Sequence, residues 1–438
     1  MKSARKHPTA IGIDFGTTNS SLARATGSAV ELVRFVSAAG STESFRSVLY
    51  LEQHKKAGRR HVQSWTGPWA VEQYLEAEHK GRLIQSLKSY LPSRLLTGTE
   101  VLGRHYTLED LISRMLADLR LHAERQFGSP VRHATVGRPV KFVGAENAED
   151  EAYALGRLRH AFELAGYERV EFEMEPVAAA YAYESSLDHD ELILIGDFGG
   201  GTSDFSLLHV GPSIAARRRG RPGAGLLGNG GVGLAGDAFD ARIVRRLVSP
   251  ALGADSMAHS GTKILPALPA WIYANLERWH YLSFLRTRAV MDLLRGAHGR
   301  ALEPEKIEAL IMLVDEDLGY QLHQAVQRVK FALSSSERAE FHFQEAALEL
   351  RIAVTRAEFE RWIAEELQSI EQCVDGLLAR CGVDARSVDR VFLTGGTSFV
   401  PAVRRIFETR FTAERVRSGN EFTSVASGLA LRAQEMQR

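Results

Sequence analysis

The sequence of 438 residues predicts an α/β protein. Short runs rich in Ile, Val and Leu alternate with longer segments of 3.6-residue periodicity, which is typical of strands that alternate with helices. A pattern of strand, turn and strand also occurs twice, once in each half of the chain. The length suggests roughly three domains or two large lobes, at about 150 residues per domain.

The composition is that of an ordinary globular protein. The 54 Lys and Arg residues balance the 54 Asp and Glu residues, so the formal net charge is zero. Apolar residues make up 45% of the chain and charged residues 25%, which provides enough apolar side chain for a large core. This balance excludes a strongly charged tail protein, and we expect a soluble, folded chain.

The sequence contains no recognisable secretion or membrane signal. Asp14 interrupts the apolar run after the basic N-terminus, so this run cannot form the apolar part of a signal peptide. No stretch approaches the ~18 to 20 apolar residues that a membrane helix requires. Cys373 and Cys381 lie in one amphipathic stretch without His neighbours, which predicts free thiols in a reducing compartment. We expect a cytoplasmic protein that makes no membrane contact.

Periodicity predicts two amphipathic helices in the first half of the chain. One runs from Thr107 to Gln126, where Thr107 and Asp110 have the spacing of a capping box. The other runs from Glu146 to Ala165 and ends at Gly166, a residue type that commonly terminates helices. Both helices have one apolar stripe, so we expect both to lie on a core.

The second half of the chain has the same signals. Thr355 and Glu358 form a second predicted capping box, and Gly382 is the expected end of the helix that follows. The segment 264–334 has an almost wholly helical pattern, with five aromatic residues near its start. We interpret this segment as a helical insertion or subdomain. Those five aromatic residues are Trp271, Tyr273, Trp279, Tyr281 and Phe284.

A glycine- and arginine-rich stretch, Ala216 to Gly236, is predicted to be a loop. It contains two formal matches to GxGxxG, but neither follows a strand, so a dinucleotide-binding turn is not expected. Its basic residues are not interleaved with aromatic ones and the whole chain is neutral, so nucleic acid is not expected as a partner. These basic residues are Arg217, Arg218, Arg219 and Arg221.

The most informative pattern is the strand, turn and strand that occurs twice. AIGIDFGTTNSSLARA runs from Ala10 to Ala25, and LILIGDFGGGTSDFSLLHV runs from Leu192 to Val210. Asp14 and Asp197 occupy the same place in the two copies, before a turn rich in glycine and threonine. Glycine lets backbone N–H groups converge on an anion, and threonine hydroxyls can donate further hydrogen bonds to it. Each turn is therefore a candidate phosphate site.

Two aspartates beside one phosphate site need a cation between them. At about 4 Å and an effective dielectric of about 20, two such charges repel by ~4 kcal/mol. Magnesium fits, because it prefers oxygen ligands, keeps several waters and is usually held by one or two carboxylates together with substrate phosphates. The sequence has no GxxxxGK[ST] motif, so a P-loop is excluded.

A third element, VFLTGGTSFVPAVRRIF from Val391 to Phe407, has the pattern of a buried strand, a glycine pair and a helix. Gly395 and Gly396 would let a flat ligand approach the backbone. Beside two phosphate turns, we interpret this element as the adenosine side of a nucleotide site.

Together these motifs resemble the actin-like ATPase superfamily and, within it, the DnaK-type heat-shock chaperones. Their order along the chain is DFGTTNS, EPVAAAYAYE, DFGGGTSD and LTGGTSFVP. GDAFDARIV (Gly236 to Val244) and KFALSSS (Lys330 to Ser336) extend the resemblance. It covers almost the whole chain as a nucleotide-binding domain, and the chain looks most like the short YegD-type chaperone-like proteins of bacteria.

The resemblance implies a two-lobed actin-like ATPase fold with duplicated ribonuclease-H-like sheets, helical insertions and an ATP cleft between the lobes. Lobe I would comprise 1–189 and 420–438, with an insert at about 37–130. Lobe II would comprise 190–419, with an insert at about 236–334. After Pro401 the sequence has room for one helix, a short strand and a terminal helix, Thr423 to Gln437, and we expect no C-terminal peptide-binding domain.

The resemblance also implies roles for individual residues. Asp14 and Asp197 would hold Mg²⁺ through water. Glu175 would orient the attacking water, helped by Asp204 and Thr202, and Lys88 would be the catalytic lysine. The residues implied to bind ATP or ADP are Gly16, Thr17, Thr18, Gly199, Gly200, Gly201, Thr202, Gln327, Lys330, Phe331, Ser334, Gly395, Gly396, Thr397 and Phe399.

The adenosine side departs from the family pattern. Gln327 stands in place of a usual glutamate, Phe331 and Phe399 in place of arginines, and Phe422 in place of an aspartate. An aromatic face can stack on a base for ~1 to 3 kcal/mol, so Phe331 is a candidate stacking residue. The other interpretation is that Phe331 and Phe399 belong to the core.

The function that these observations predict is a Mg²⁺-dependent, slowly hydrolysing ATPase that acts as a chaperone-like switch, read by a client protein or a co-chaperone. Three alternatives stay open from the sequence. They are a small-molecule kinase of the same superfamily, a filament-forming actin-like protein and a nucleotide-binding pseudo-ATPase that does not hydrolyse ATP.

Overall fold

The computed structural model describes residues 9–27, 29–56, 59–77, 81–184, 187–218, 225–278, 282–345, 347–418 and 424–436. Strands and helices occur throughout these ranges, so the predicted α/β class is confirmed. The chain divides into two compact units. The first comprises Met1–Gly233, Glu371–Ser398 and Ile406–Arg438, and the second comprises Leu234–Ile370 and Phe399–Arg405. The lobe boundaries derived from the resemblance stay a prediction.

The first unit contains two large mixed sheets. The strands of sheet I are β1 (Thr9–Phe15), β2 (Asn19–Thr26), β3 (Ala29–Leu32), β6 (Phe45–Arg46), β12 (Val131–Arg138) and β13 (Arg169–Met174). Their order is β13-β12-β1-β2-β3, and β6 also pairs with β2. The strands β1, β12 and β13 are parallel, whereas β2 runs antiparallel to β1 and to β3.

Sheet II repeats this plan. Its strands are β14 (Glu191–Phe198), β15 (Ser203–Val210), β16 (Leu226–Val232), β21 (Arg390–Thr394) and β22 (Val416–Ser418). Their order is β16-β15-β14-β21-β22, with three antiparallel strands followed by two parallel ones. Because the strand order and directions match those of sheet I, the fold is an internal duplication, as the repeated hairpins predicted.

Smaller sheets and hairpins complete both units. In the first unit they are β4 (Phe35–Ser37) with β5 (Gly40–Thr42), β7 (Val48–Lys56) between β8 (Arg59–Thr66) and β9 (Arg82–Gln85), and β10 (Gly98–Val101) with β11 (Arg104–Thr107). In the second unit they are β17 (Met257–Ser260) with β18 (Lys263–Pro266), and β19 (Arg338–Glu345) with β20 (Leu348–Thr355).

The helices of the first unit are α1 (Gly67–Glu76), α2 (Leu108–Phe127), α3 (Ala148–Leu164), α4 (Glu175–Glu184), α5 (Pro212–Arg218) and α16 (Ser424–Glu435). Those of the second unit are α6 (Gly236–Ile243), α7 (Ser249–Ala251), α8 (Ala270–Leu276), α9 (Leu282–Leu285), α10 (Arg288–His298), α11 (Pro304–Asp315), α12 (Gly319–Ser335) and α13 (Arg356–Trp362). Two of the four unit boundaries fall within α14 (Ala364–Cys381) and α15 (Pro401–Phe411). No helix in the described ranges has the length and apolar character needed to cross a bilayer.

Both predicted capping boxes are confirmed. The Thr107 hydroxyl accepts a hydrogen bond from the Asp110 backbone N–H, and the Asp110 carboxylate accepts one from the Thr107 backbone N–H. Thr355 and Glu358 form the same pair at the start of α13. The single helix expected after Thr355 is instead two helices, because Ile363 leaves helical geometry between α13 and α14.

The core of the first unit lies between sheet I and the helices α2 and α3. Ile11, Ile13 and Phe15 project from β1 into a cluster that includes Ile112 of α2 and Phe162 of α3, all fully buried. Alternate residues of β1 therefore face this core, and Asp14 lies on the opposite face of the sheet.

That opposite face of sheet I carries α16, and two glycines make the contact possible. A Cβ added at Gly12 of β1 would lie 2.2 Å from the backbone nitrogen of Ala430, and one added at Gly428 would lie 1.7 Å from the carbonyl oxygen of Ala178 in α4. Backbones thus approach each other at distances that only glycine permits. This packing joins β1, α4 and α16, the elements beside the candidate site.

The expectation that 216–236 is a loop was wrong for most of the described residues of this segment. Residues Leu226–Val232 form β16, which pairs antiparallel with β15, and α5 covers Pro212–Arg218. The edge of sheet II supplies hydrogen-bond partners that outweigh the weak strand propensity of glycine. Gly228 has a packing role there, because a Cβ at this position would lie 2.5 Å from the Cys381 sulfur. Residues 219–224 lie outside the described ranges.

The segment 264–334 and the two cysteines were also the subject of predictions. The segment 264–334 is mostly helical, but it begins in β18, which pairs with β17. Of its aromatic cluster, Trp279 and Tyr281 lie outside the described residues. Cys373 and Cys381 are free thiols, as predicted.

We expect Gly428→Ala to lower the free energy of unfolding by at least about 2 kcal/mol, because the new methyl group overlaps the Ala178 carbonyl. Gly156 of α3 is the matched control, since it is also a helical glycine, but a methyl group added there meets no atom of the described residues within 4 Å. Gly156→Ala should stabilise the protein by about 0.5 to 1 kcal/mol. Urea unfolding measures both, and equal effects would contradict the packing described above.

Candidate functional site

The two predicted aspartates occupy equivalent positions at the ends of the first strands of the two sheets. Asp14 is the penultimate residue of β1 and lies opposite Ser21 of β2. Asp197 is the penultimate residue of β14 and lies opposite Asp204 of β15. Both aspartates are partly buried. The duplication therefore places two carboxylates at matching sites in one compact unit.

The structure brings these carboxylates within electrostatic range of each other. Burial raises the pKa of the Asp14 carboxyl well above its ordinary value, and the charges of Glu175 and Asp197 raise it further, whereas Lys88 lowers it. Burial and Glu175 also raise the pKa of Asp197, opposed by a hydrogen bond from Thr394 and by Lys88. The side chains around the site are thus rich in negative charge and short of positive charge.

Lys88 and Glu175 form a buried ion pair. The Lys88 Nζ donates a hydrogen bond of 2.8 Å to the Glu175 Oε1, and the two side chains are only 7% and 12% exposed. Lys88 lies in a 3₁₀ turn, Leu87–Tyr90, and Glu175 is the first residue of α4. Although these residues are 87 positions apart in the sequence, the fold joins the two predicted catalytic side chains directly.

The segment after Lys88 is anchored by a buried arginine. The Arg157 guanidinium donates hydrogen bonds to the carbonyl oxygens of four residues in this segment and forms an ion pair with Glu109 of α2. The four carbonyls are those of Tyr90, Leu91, Ser93 and Leu96. Since Arg157 is only 6% exposed, this network limits the movement of the chain that presents Lys88.

A glycine leaves room for Glu175. A Cβ at Gly137, near the end of β12, would lie 2.9 Å from the Glu175 Cγ. A side chain at position 137 would therefore displace the carboxylate from Lys88. Gly137 was not among the residues predicted from the sequence, although a glycine near the end of the strand that pairs with the strand bearing Asp14 is the signal that could have found it.

The glycine turns are compact. In the second hairpin the Gly199 N–H donates to the Thr202 carbonyl at 2.9 Å. In the first hairpin a Cβ at Gly16 would lie 2.1 Å from the Asn19 carbonyl oxygen, so this position requires glycine. Gly395 has a φ of +84°, and a Cβ added there would lie 2.0 Å from the Phe198 carbonyl oxygen. The third glycine element therefore abuts the second hairpin.

Thr394 is a site residue that the sequence analysis did not single out. Its hydroxyl donates a short hydrogen bond of 2.5 Å to the Asp197 Oδ1, because the parallel register of β14 and β21 places the two residues side by side. This bond favours the ionised carboxylate. The signal was available in LTGG, where a threonine ends the strand before the glycine pair.

Asp204 is held largely as a neutral acid. Burial, followed by the charges of Asp197 and Glu175, raises its pKa to about 8, although a hydrogen bond from Thr202 and the charge of Lys88 oppose this. A Cβ at Gly231 of β16 would lie 2.6 Å from the Asp204 Oδ1, so the edge strand closes over this carboxyl. At neutral pH, Asp204 is able to donate a hydrogen bond as well as accept one.

The residues predicted to contact adenosine on α12 lie in the second unit, together with Phe399. The Lys330 Nζ forms an ion pair of 2.6 Å with Asp240, and the Ser334 hydroxyl donates to the Lys330 carbonyl. Phe331 is 74% exposed and Phe399 is 48% exposed. The interpretation that the two phenylalanines belong to the core was therefore wrong. Gln327 is partly buried, and Phe422 lies outside the described residues.

The oxygen donors of this site fit a hydrated magnesium ion. Within the described residues, no group of three or more His, Cys, Asp or Glu side chains is placed to ligate a metal directly. Asp14 and Asp197 instead present partly buried carboxylates, whose pKa values are raised first by burial and then by the negative charge of Glu175. A hard divalent cation that keeps its water ligands matches both features.

The two sheets have the same topology, and each carries an aspartate followed by a glycine turn at the equivalent position. The chain is therefore an α/β protein with an internal duplication, whose two aspartates contribute to one acidic site. Comparison with known proteins identifies the family. A family model described as "Hsp70 protein" matches residues 10–252 and 306–437. The chain belongs to the Hsp70 family, and its mixed α/β architecture fits the actin-like fold of that family.

Chaperone proteins named DnaK are similar to this chain along almost its whole length. A DnaK of Thermus thermophilus is 25% identical over 435 residues, which cover 97% of this chain and 60% of that protein. The DnaK of Deinococcus proteolyticus is 25% identical over 433 residues, covering 97% of this chain and 59% of that protein. The chain thus spans about 60% of the length of these relatives, the part that corresponds to an Hsp70-type nucleotide-binding domain.

The raised pKa of Asp204 predicts that the free energy of unfolding falls as the pH rises. In the unfolded chain this carboxyl ionises near its ordinary pKa of 3.8, but in the folded protein it ionises near 8. Unfolding is therefore favoured increasingly as the pH rises from about 4 to about 8. Asp204→Asn should raise the free energy of unfolding at pH 8, by up to about 5 kcal/mol, and should raise it much less at pH 5.

Asp375 provides the control of opposite sign for this measurement. Its pKa is lowered by the hydrogen bond from Arg410, so Asp375→Asn should destabilise the protein, with a loss that disappears as the pH falls through the lowered pKa. Urea unfolding at pH 5 and pH 8 tests the pair, and the loss in Asp375→Asn should be the same at both values because the lowered pKa lies below them. An Asp204→Asn protein that is less stable than the wild type at pH 8 would contradict the assignment.

Proposed function

We propose that this chain binds ATP with Mg²⁺ and hydrolyses it slowly, as the nucleotide-binding part of a chaperone-like switch. The observation that carries the proposal is the convergence of Asp14, Asp197, Lys88 and Glu175 from four separate elements of one unit. Membership of the Hsp70 family supports the same conclusion.

Asp14 and Asp197 would hold the ion through its water ligands. The bound ion would supply positive charge to the phosphate oxygens. The glycine and threonine turns would provide backbone N–H and hydroxyl donors for these oxygens. The turn residues proposed for this role are Gly16, Thr17, Thr18, Gly199, Gly200, Gly201 and Thr202, with Gly395, Gly396 and Thr397 beside the second turn.

Glu175 is proposed to accept a hydrogen bond from the attacking water. Lys88, which already contacts Glu175, would orient that carboxylate and stabilise negative charge on the transferred phosphoryl group. Asp204 and Thr202 lie on the same side of the second hairpin and would complete the hydrogen-bond chain to the water. Phosphoryl transfer to water depends chiefly on such positioning and charge neutralisation.

On the adenosine side we propose Gln327, Lys330, Ser334 and the two exposed phenylalanines, Phe331 and Phe399. The exposure of both rings leaves their faces available for a base. The two-lobed arrangement with an ATP cleft is part of this proposal. So is the output, a conformational change that depends on the bound nucleotide and is read by a client protein or a co-chaperone.

Site-directed variants test the phosphate chemistry. Asp197→Asn should weaken binding of ATP with Mg²⁺ at least about tenfold, because it removes one of the two charges that hold the ion. Glu175→Gln should bind nucleotide like the wild type but hydrolyse it roughly 100-fold more slowly. The neutral amide is a weaker hydrogen-bond acceptor for the attacking water than the carboxylate is. Isothermal titration and phosphate release measure the two effects.

Glu163→Gln is the matched control, since Glu163 is an exposed carboxylate on α3. It should leave both binding and turnover unchanged. Equal phosphate release from the wild type, Asp197→Asn and Glu175→Gln would refute the ATPase proposal. Tight binding without phosphate release from the wild type would instead identify a pseudo-ATPase, and phosphate transfer to an added sugar faster than hydrolysis would identify a kinase.

The hydrogen bond from Thr394 gives a second prediction. Thr394→Val should raise the Mg²⁺ concentration for half-maximal nucleotide binding several-fold, because the Asp197 carboxylate loses the hydrogen bond that favours its ionised form. Thr394→Ser keeps the hydroxyl and should restore the wild-type value. Identical Mg²⁺ dependence of the valine variant and the wild type would remove Thr394 from the site.

A further inference from the structure

One basic residue beside the first phosphate turn has no role in the function proposed above. Arg46 lies on β6, the two-residue strand that pairs antiparallel with the start of β2. The Ser47 N–H, next along the chain, donates a hydrogen bond of 2.8 Å to the Thr18 carbonyl. The backbone of this strand is therefore attached directly to the turn that contains Thr17 and Thr18.

Strand register places Arg46 on the same face of sheet I as Asp14. Arg46 lies opposite Asn19, and Asp14 lies opposite Ser21, two positions along β2. Residues opposite each other in antiparallel strands share a face, as do residues two apart in one strand. Asp14, Ser21, Asn19 and Arg46 therefore all lie on the face that bears the candidate site.

The neighbours of Arg46 confirm this assignment of faces. Phe45 is fully buried in the core on the other side of the sheet, where its ring lies 5.1 Å from that of Phe35. Ser47, on the same face as Phe45, has its hydroxyl 2.9 Å from the hydroxyl of Ser20. Arg46 stands between two residues that face the core, so its side chain leaves the strand on the opposite side.

The Arg46 side chain is incompletely satisfied. It is partly buried, and its Nε is shielded from solvent without a hydrogen-bond partner among the residues that the structure describes. A buried charged donor without an acceptor is costly and is usually matched by an anion. Two carboxylates of the site are engaged elsewhere, Glu175 by Lys88 and Asp197 by Thr394, and Arg46 is not among the charges that act on Asp14.

The negative charges of the site outnumber the positive ones, so a second cationic side chain would be stabilised there. In the described part of the chain, Lys88 is the one basic residue among the charges that act on Asp14, and it opposes Glu175 and Asp197. A nucleotide triphosphate with one Mg²⁺ adds further negative charge. We propose that Arg46 binds phosphate oxygens of this nucleotide at the first turn, through its guanidinium. This inference rests on the proposed function and adds to it a binding residue contributed by β6.

The test compares Arg46→Met with Arg46→Lys. The methionine keeps an unbranched apolar stem and removes the charged guanidinium, so it should weaken binding of ATP with Mg²⁺ about tenfold or more, because a charge-assisted hydrogen bond is lost. The lysine should recover part of this affinity. Isothermal titration with ATP and Mg²⁺ measures all three proteins.

Arg24 is the matched control, because it lies on β2 of the same sheet and its Nε is also buried without a partner among the described residues. It lies on the opposite face, where it forms an ion pair of 2.8 Å with Glu31 and its guanidinium covers the Phe127 ring. Arg24→Met should leave ATP affinity unchanged. Equal weakening by Arg24→Met and Arg46→Met would overturn the proposal.

Thermal unfolding without nucleotide distinguishes phosphate binding from a structural role. If Arg46 serves the nucleotide, Arg46→Met should be at least as stable as the wild type, since an unsatisfied charge is removed. A nucleotide-free Arg46→Met protein that melts at a lower temperature and binds ATP as the wild type does would overturn the proposal. If Arg46→Met does not fold, Arg46→Gln takes its place in the comparison, and an ATP affinity equal to that of the wild type would overturn the proposal. Failure of the wild type to bind ATP would instead refute the proposed function itself.

Discussion

The arrangement of the site depends on one buried ion pair, between Lys88 and Glu175. Four carboxyl groups meet in this part of the first unit, and among the residues that the structure describes Lys88 is the one whose positive charge acts on Asp14, Asp197 and Asp204. The pair is costly to bury, because both charges lose water, and its geometry must be good to compensate. Arg157 anchors the Lys88 segment and Gly137 leaves space for Glu175, so the surrounding fold supplies that geometry.

Close backbone packing is the second constraint, and it links the duplication to the site. Gly12 and Gly428 allow α16 to approach β1 and α4 at distances that any side chain would prevent. The same β1 ends in Asp14 and the same α4 begins with Glu175. Residues with no chemistry of their own therefore determine where the two acids lie, which explains why glycine is needed outside the phosphate turns as well as in them.

Local patterns predicted the elements well where local interactions decide the structure. Both capping boxes, the two hairpins and the strand, glycine pair and helix near Gly395 formed as expected, because each depends on residues only a few positions apart. The glycine-rich segment was misjudged, since β16 is stabilised by pairing with the edge of sheet II rather than by its own propensity. The exposure of Phe331 and Phe399 likewise could not be read from residue type.

The sequence alone determined the class of fold, the internal repeat and the identity of the two aspartates, because periodicity and the order of motifs are properties of the chain itself. Only the tertiary structure decided that Thr394 contacts Asp197, that Lys88 contacts Glu175 and that Arg46 shares a face with Asp14. Each of these relations joins residues from separate elements, through strand register or through packing. Register and packing depend on the free energy of the whole core, and no local segment of the sequence records them.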